Sequence, residues 1–125
     1  NMDKLAVYGT LRNGDRETYR VKDVSLVFPG HKNYPALIKN KEGSGAVVEL
    51  IDVDNYDLES YDNYEGIKTG LYVREVIDVF DGDDLKTNAW IYIAGPLLMQ
   101  NKLVFEEVPE QDWLSQKTKK MLNLI

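Results

Sequence analysis

Residues 72–93 show the pattern of a long β-hairpin. Apolar residues alternate through residues 72–80, which places Val73, Ile77 and Val79 on one face of a strand. The segment Asp81-Gly82-Asp83-Asp84 is typical of a hairpin turn, and residues 87–93 have the composition of the returning strand. Gly95-Pro96 ends that strand. The sequence therefore predicts a fold dominated by β-strands.

Four other apolar runs predict further strands, at residues 5–8, 21–28, 36–38 and 46–51. The run at 21–28 alternates, with apolar residues at Val24, Leu26 and Phe28. The run at 46–51 is almost continuously apolar, which is typical of a strand buried on both faces.

Helix signals flank two segments. Asp54 is a candidate N-cap and Asp57 lies in the first turn, so a helix is expected over about residues 55–64, with Gly66 near its C-terminal cap. A second, terminal amphipathic helix is predicted after Pro109, from the spacing of Trp113, Leu114, Lys117, Met121 and Leu124. The polar stretch 12–20 has room for a loop and a short helix. These elements predict one α+β domain over residues 1–125, with about six strands, two or three helices and a curved sheet able to close into a barrel.

The residue types present exclude several chemistries. The 125 residues contain no cysteine and one histidine, His31. A disulfide, a thiolate nucleophile, a cysteine zinc site and a histidine-rich metal site are therefore excluded, and any histidine-dependent triad would need His31. His31 follows a Pro-Gly turn and is expected at the surface. We expect no metal and no cofactor.

Charge and hydropathy restrict the partners. The chain has 15 basic and 21 acidic residues, a net charge of −6, and no basic patch interleaved with aromatic residues, which argues against nucleic-acid binding. No apolar run approaches the roughly 20 residues that a membrane span needs, and no apolar signal region follows the N-terminus. A cytoplasmic protein is the expectation. The sequence does not indicate an oligomeric state.

The loop after the first strand is a candidate anion site. Its sequence is Tyr8-Gly9-Thr10-Leu11-Arg12-Asn13-Gly14, and a tight turn between two glycines can direct several backbone N–H groups at one carboxylate. The same residues are also compatible with an ordinary glycine-flanked turn.

Glu65 is a candidate general acid/base. It falls at the C-terminal end of the predicted helix, where the helix dipole opposes a negative charge. An apolar pocket there would raise its pKa toward the range of a general base. The alternative is an exposed glutamate with no role.

Three other features of the sequence are less specific. Pro35 restricts Tyr34 to an extended conformation, which suits a pocket wall or the entry to a strand. Tyr72 and Arg74 share a strand face that lines a site or faces solvent. The acidic residues at 81, 83 and 84 lack the spacing of an EF-hand and are interpreted as a polar turn.

In this order, the motifs resemble the gamma-glutamylcyclotransferase-like family, which includes the plant AIG2-like proteins. The resemblance spans nearly the whole chain and rests on Tyr8-Gly9-Thr10-Leu11, Tyr34-Pro35-Ala36-Leu37, the strand from Gly45 to Glu49, Tyr64-Glu65-Gly66, Tyr72-Val73-Arg74, Ala89-Trp90-Ile91-Tyr92 and Asp112-Trp113. Residues 15–19 depart from the usual family pattern, which leaves open what lies beyond the glutamyl group.

The resemblance implies a small mixed β-barrel flanked by helices and an enzyme that converts a γ-glutamyl amide into 5-oxoproline and a free amine. It implies that Tyr8, Gly9, Thr10 and Leu11 bind the glutamyl end, that Glu65 is the general acid/base, and that Tyr72 belongs to the pocket. Such a reaction needs no protein nucleophile, metal or cofactor, because the substrate's own α-amine attacks its γ-carbonyl.

Two alternatives stay open at this point. A binding module could use the same pocket for a small acidic metabolite or a peptide end without catalysis. A protein-interaction domain with an inert pocket would instead expose a large apolar patch away from the loop.

Overall fold

The computed structural model describes residues 2–30, 33–100 and 105–123, so the expectation for His31 lies outside the described residues. The strands are β1 (Asp3–Val7), β2 (Tyr19–Val21), β3 (Val24–Phe28), β4 (Ala36–Lys39), β5 (Ala46–Val53), β6 (Tyr72–Asp81), β7 (Asp84–Ala94) and β8 (Glu106–Glu107). The helices are α1 (Asn55–Tyr64), α2 (Pro96–Met99) and α3 (Gln116–Met121), with 3-10 turns at Ile67–Thr69 and Pro109–Gln111. Over these ranges, no helix has the length and apolar character needed to cross a membrane.

Five strands close into a barrel in the order β1-β5-β2-β6-β7, and β4-β3-β8 form a second sheet. The barrel is mixed because β1 and β7 run parallel, with Leu5 opposite Trp90, while its other pairs are antiparallel. The expected α+β class with a small mixed barrel is confirmed. The strand number is larger than the predicted six because the predicted strand 21–28 divides into β2 and β3, and because the short strand β8 was not anticipated.

The predicted hairpin is the longest pairing in the barrel. Strand β6 pairs with β7 from Tyr72 opposite Ala94 to Asp81 opposite Asp84, with an irregularity at Val79 and Phe80. Gly82 in the turn has φ of 60°, a left-handed conformation that glycine adopts without strain. The acidic residues around it therefore form the polar turn that the sequence predicts.

The predicted strand 21–28 is two strands in different sheets. Strand β2 ends at Val21 and pairs with β5 and β6 in the barrel, whereas β3 begins at Val24 and pairs with β4. Between them Asp23 has φ of 58°, which turns the chain out of the barrel. All five residues of β3 are buried, because its two faces contact two different apolar clusters.

Helix α1 occupies the predicted residues. The Asp54 side chain accepts a hydrogen bond from the Asp57 N–H, and the Asp57 side chain accepts one from the Asp54 N–H, so the two form a capping box. The helix ends at the C-cap residue Glu65, and Gly66 with φ of 68° reverses the chain into the 3-10 turn.

The predicted terminal helix forms but is shorter than expected, and the short helix for which residues 12–20 had room does not form. Residues 12–18 form a loop in which the Asn13 side chain accepts hydrogen bonds from the N–H groups of Asp15 and Arg16, and no helix forms there. The terminal helix begins at Gln116, later than the apolar spacing suggests. Trp113 precedes it and packs against Phe28 with ring centroids 5.5 Å apart, and Leu124 lies outside the described residues.

Replacing Asp54 by Ala should lower the free energy of unfolding by about 1 kcal/mol, because the first turn of α1 loses its cap. Asp54→Asn is the matched control, since asparagine caps about as well as aspartate. Urea unfolding followed by circular dichroism measures both. Equal destabilisation by the two substitutions would show that the charge, rather than the cap, matters.

Candidate active site

A cavity of about 400 Å³ lies between the end of β1 and the end of α1. All six residues predicted for the site line it: Tyr8, Gly9, Thr10, Leu11, Glu65 and Tyr72. Tyr34, Pro35, Tyr64, Leu71 and Tyr92 complete much of the wall. Residues 5–11, from β1 and the loop after it, thus face the end of α1 across the cavity. Glu65, at that end, is the only acidic residue among the described residues that line the cavity.

Glu65 is partly buried at the rim between α1 and this cavity. Its own N–H donates to Tyr61 O at 2.8 Å, which fixes its backbone as the last part of the helix. Burial raises the pKa of the carboxyl group from 4.5 to about 7. A group with this pKa exchanges a proton readily near neutral pH.

The inner wall is made of tyrosines whose hydroxyl groups are already engaged. The Tyr8 hydroxyl donates to Tyr92 O at 2.7 Å, and the Tyr72 hydroxyl donates to Pro35 O at 2.8 Å. Burial, with a contribution from nearby Glu65, raises the pKa of Tyr8 and the pKa of Tyr72 well above the ordinary value. Both phenols therefore stay protonated and serve as a fixed wall.

The loop after β1 contains a tight turn. Arg12 N–H donates to Gly9 O at 2.9 Å, which places Thr10 and Leu11 at the centre of the turn. Gly9 lies against Pro35 so closely that a Cβ atom would come within 2.5 Å of the proline ring, so only glycine fits. In the part of the chain that the structure describes, the N–H groups of Thr10 and Leu11 have no hydrogen-bond acceptor.

Two N–H groups of the predicted anion loop already bind an anion of the protein itself. The N–H groups of Asn13 and Gly14 both donate to the side chain of Glu49, each at 3.1 Å. These two groups are therefore not available to a substrate. Thr10 and Leu11, whose N–H groups have no acceptor among the described residues, are among the residues that line the cavity.

Glu49, the residue that binds this part of the loop, was not singled out in the sequence analysis. It is fully buried on β5, and its carboxylate also forms ion pairs with Arg12 and Arg16, each at 2.9 Å. Burial alone would raise the pKa of Glu49, but the hydrogen bonds from these four donors outweigh it and lower the pKa. The available signal was a single glutamate within the apolar run at residues 46–51, because a buried charge needs a partner.

An ion pair between Asp62 and Arg74 attaches α1 to strand β6 of the barrel. Asp62 in the last turns of α1 accepts two hydrogen bonds from Arg74 on β6, at 2.8 and 3.0 Å, and one from the Tyr92 hydroxyl at 2.7 Å. The Arg74 guanidinium also lies 4.2 Å from the centre of the Trp90 ring. Tyr72 and Arg74 thus share a face, but Tyr72 lines the cavity whereas Arg74 fixes the helix behind it.

The sequence matches a family model described as gamma-glutamyl cyclotransferase, AIG2-like, over residues 5–115. The protein belongs to this family. Membership supports a cyclotransferase-type function and binding of a small-molecule substrate.

Solved structures with the same fold have low sequence identity. An AIG2-like protein from Mus musculus is 22% identical with a TM-score of 0.65, over 79% of this chain and 83% of the mouse chain. A uropathogenic E. coli-specific protein is 17% identical with a TM-score of 0.69, over 100% and 98%. A structure named gamma-glutamyl cyclotransferase is 16% identical with a TM-score of 0.61, over 100% and 88%. These similarities establish the fold. No curated protein matches the sequence significantly.

Replacing Glu65 by Gln should stabilise the protein at about pH 8 and leave its stability nearly unchanged at about pH 4. Between pH 4.5 and about 7 the folded protein retains a proton that the unfolded chain releases, so wild-type stability falls as pH rises through this window. Glutamine does not titrate. Because solvent partly screens the side chain, we expect a gain of about 1–2 kcal/mol at the higher pH.

Urea unfolding at both pH values measures this difference. Glu59→Gln is the control, because it removes an exposed charge from the same helix. A Glu65→Gln protein that gains no more stability than this control would contradict the predicted burial of a charged Glu65.

Proposed function

We propose that this protein is a γ-glutamylcyclotransferase-type enzyme that converts a γ-glutamyl amide into 5-oxoproline and a free amine. The observation that carries the proposal is a carboxyl group with a pKa of about 7, Glu65, in the same cavity as the Thr10 and Leu11 N–H groups. A base and anion donors in one cavity are what the reaction requires from the protein.

The bond changes take place within the substrate. Its α-amine attacks the γ-carbonyl carbon, and a new C–N bond closes a five-membered ring. The tetrahedral intermediate then collapses, the original amide C–N bond breaks, and the amine leaves. Because nucleophile and electrophile belong to one molecule, correct folding of the bound substrate supplies much of the rate advantage.

Glu65 would accept and donate the protons that are transferred during the reaction. Its carboxylate first takes a proton from the substrate's α-ammonium group, which frees the amine to attack. The protonated Glu65 then donates this proton to the leaving nitrogen before it departs. The regenerated carboxylate takes the second proton, which the attacking nitrogen loses on ring formation, and passes it to the released amine, which becomes an ammonium ion. A single carboxyl group that alternates between base and acid accounts for these transfers, and a pKa near neutrality favours both directions.

The turn at residues 9–12 would bind the anionic parts of the substrate. The N–H groups of Thr10 and Leu11 are suited to the substrate carboxylate or to the oxyanion that develops on the carbonyl oxygen. Tyr8 and Tyr72 would form the wall against which the glutamyl chain packs. The enclosed protonated phenols also limit the access of water to the intermediate.

The presence of Glu65 favours catalysis over simple binding. A module that only captures an acidic metabolite gains no affinity from a carboxylate in its pocket, since like charges repel. A catalyst that must remove a proton from an ammonium group needs such a group.

Glu65→Gln should lower kcat for 5-oxoproline formation by about 10²–10⁴-fold, the usual contribution of a general acid/base. The assay incubates the protein with γ-glutamyl dipeptides and γ-glutamylamines and quantifies 5-oxoproline by chromatography. Glu59→Gln, an exposed change on the same helix, should retain wild-type activity. Wild-type activity in Glu65→Gln would rule out the role of Glu65. Thermal stabilisation by these compounds without product would favour the binding module.

The kcat/KM of the wild-type enzyme should rise with pH through an apparent pKa of about 7, because the free enzyme needs Glu65 in its carboxylate form. Initial rates between about pH 5 and pH 9 measure this limb. A profile without an inflection in the range from about 6 to 8 would contradict the assignment.

A further inference from the structure

We propose that Glu49 is a positioning residue that holds the Thr10 and Leu11 N–H groups in place for the substrate. The inference rests on the proposed function. Glu49 does not line the cavity, so it would act through the loop rather than by contact with the substrate.

The carboxylate of Glu49 is saturated with hydrogen bonds from the loop. One oxygen, Oε2, accepts from Arg12 Nε at 2.9 Å and from Gly14 N at 3.1 Å. The other, Oε1, accepts from Asn13 N at 3.1 Å and from Arg16 Nη1 at 2.9 Å. All four donors belong to residues 12–16, which directly follow the turn.

The same residue also holds the start of the loop. Glu49 lies opposite Val7 in the antiparallel pairing of β1 with β5, one residue before the loop begins at Tyr8. The backbone of Glu49 thus fixes where the loop begins, and its side chain fixes where the turn ends. The few residues between these points have little freedom to move.

The peptide group between Leu11 and Arg12, at the end of the turn, is also held at both of its polar atoms. Leu11 O accepts a hydrogen bond from Arg16 Nη1 at 3.3 Å, and the next N–H, that of Arg12, donates to Gly9 O at 2.9 Å. Arg16 depends in turn on Glu49 for its position. Loss of the Glu49 charge would therefore loosen both Arg12 and Arg16, the two residues that hold the end of the turn.

Arg12 does not serve as a cation for the substrate. Only 4% of its side chain is exposed, and it binds both Glu49 and Asp112, the latter at 2.6 Å. The cluster contains two guanidinium groups and two carboxylates, so its formal charges cancel. The cluster would therefore act on the substrate through geometry and not through a net positive field.

We assign the Thr10 and Leu11 N–H groups to the substrate carboxylate, a contact that is present in both the ground state and the transition state. Glu49→Gln should therefore weaken substrate binding and leave the chemical step almost unchanged. Glutamine keeps the shape of the side chain but replaces one acceptor oxygen with an NH₂ group that faces two donors. We expect KM for the best γ-glutamyl amide to rise by about 10–100-fold, as for loss of hydrogen bonds to a charged group, with kcat within about threefold. The limb of the pH profile that reports Glu65 should keep its apparent pKa of about 7.

Two further measurements make the test independent of turnover. Calorimetry measures the dissociation constant of the amide for the Glu65→Gln protein, which should not turn it over, and for the double variant that combines Glu65→Gln with Glu49→Gln. Amide ¹H–¹⁵N spectra of the unliganded Glu49→Gln protein should show shifted or broadened Thr10 and Leu11 signals. Asp52→Asn is the matched control, because Asp52 lies on the same strand in an exposed ion pair with Lys4 and should change none of these quantities.

A milder variant guards against failure to fold. Arg16→Ala removes one donor to Glu49 and the contact to Leu11 O from a side chain that is 36% exposed. It should raise KM by about 3–10-fold, in the same direction as Glu49→Gln but by less. Arg16→Lys, which can keep the ion pair, should recover part of the loss.

The outcomes separate the two proposals. A purely structural role would lower apparent kcat in proportion to the folded fraction, with KM and the Thr10 and Leu11 signals unchanged, and this result would overturn the inference. If the wild-type protein binds γ-glutamyl amides but forms no 5-oxoproline, the proposed function fails while the affinity and spectra still decide the role of Glu49. If the wild-type protein binds none of these amides, the spectra alone decide the role of Glu49. Unchanged Thr10 and Leu11 signals in Glu49→Gln and in Arg16→Ala would then overturn the inference.

Discussion

The buried charge of Glu49 determines the arrangement around it. A carboxylate removed from water inside a barrel strand would be strongly destabilising without donors, so the chain must bring several to it. The loop after β1 supplies them from two backbone N–H groups and two arginines. Arg12 then reaches Asp112, so the C-terminal segment is drawn to the same place. One buried carboxylate thus fixes a loop that would otherwise have many conformations.

The site has a second half that is attached in a similar way. Asp62 and Arg74 join α1 to the barrel, and Glu65 lies three residues further along the helix, at its end. The two glutamates of the site therefore show opposite effects of burial. Glu49 has a lowered pKa because donors surround it, whereas Glu65 has a raised pKa because burial acts on it unopposed. Environments that separate the pKa values of two carboxyl groups in this way are typical of sites that divide structural and proton-transfer roles.

Local patterns in the sequence predicted the parts of the fold that depend on neighbouring residues. Helix α1 and the hairpin of β6 and β7 follow from caps, alternation and turn residues, and both were predicted nearly to the residue. The break within residues 21–28 could not be predicted, because it depends on which sheet each half joins. The six predicted site residues share one cavity, but the binding of Glu49 by the N–H groups of Asn13 and Gly14 was not predicted. Glu49 is 35 and 36 positions away from Gly14 and Asn13, and no local pattern links them.

The closure of the barrel also has a consequence for the order in which the protein can acquire its structure during synthesis. Strand β1 leaves the ribosome before both of its partners, β5 and β7, and the latter ends at Ala94. The contact between Arg12 and Asp112 spans 100 positions. A growing chain therefore carries β1 with unpaired edges until most of the sequence has been made, and folding is dominated by distant pairings, which slows it. The loop after β1 is therefore translated well before Asp112, the residue that completes its contacts, and would be among the last segments of the domain to reach its final shape.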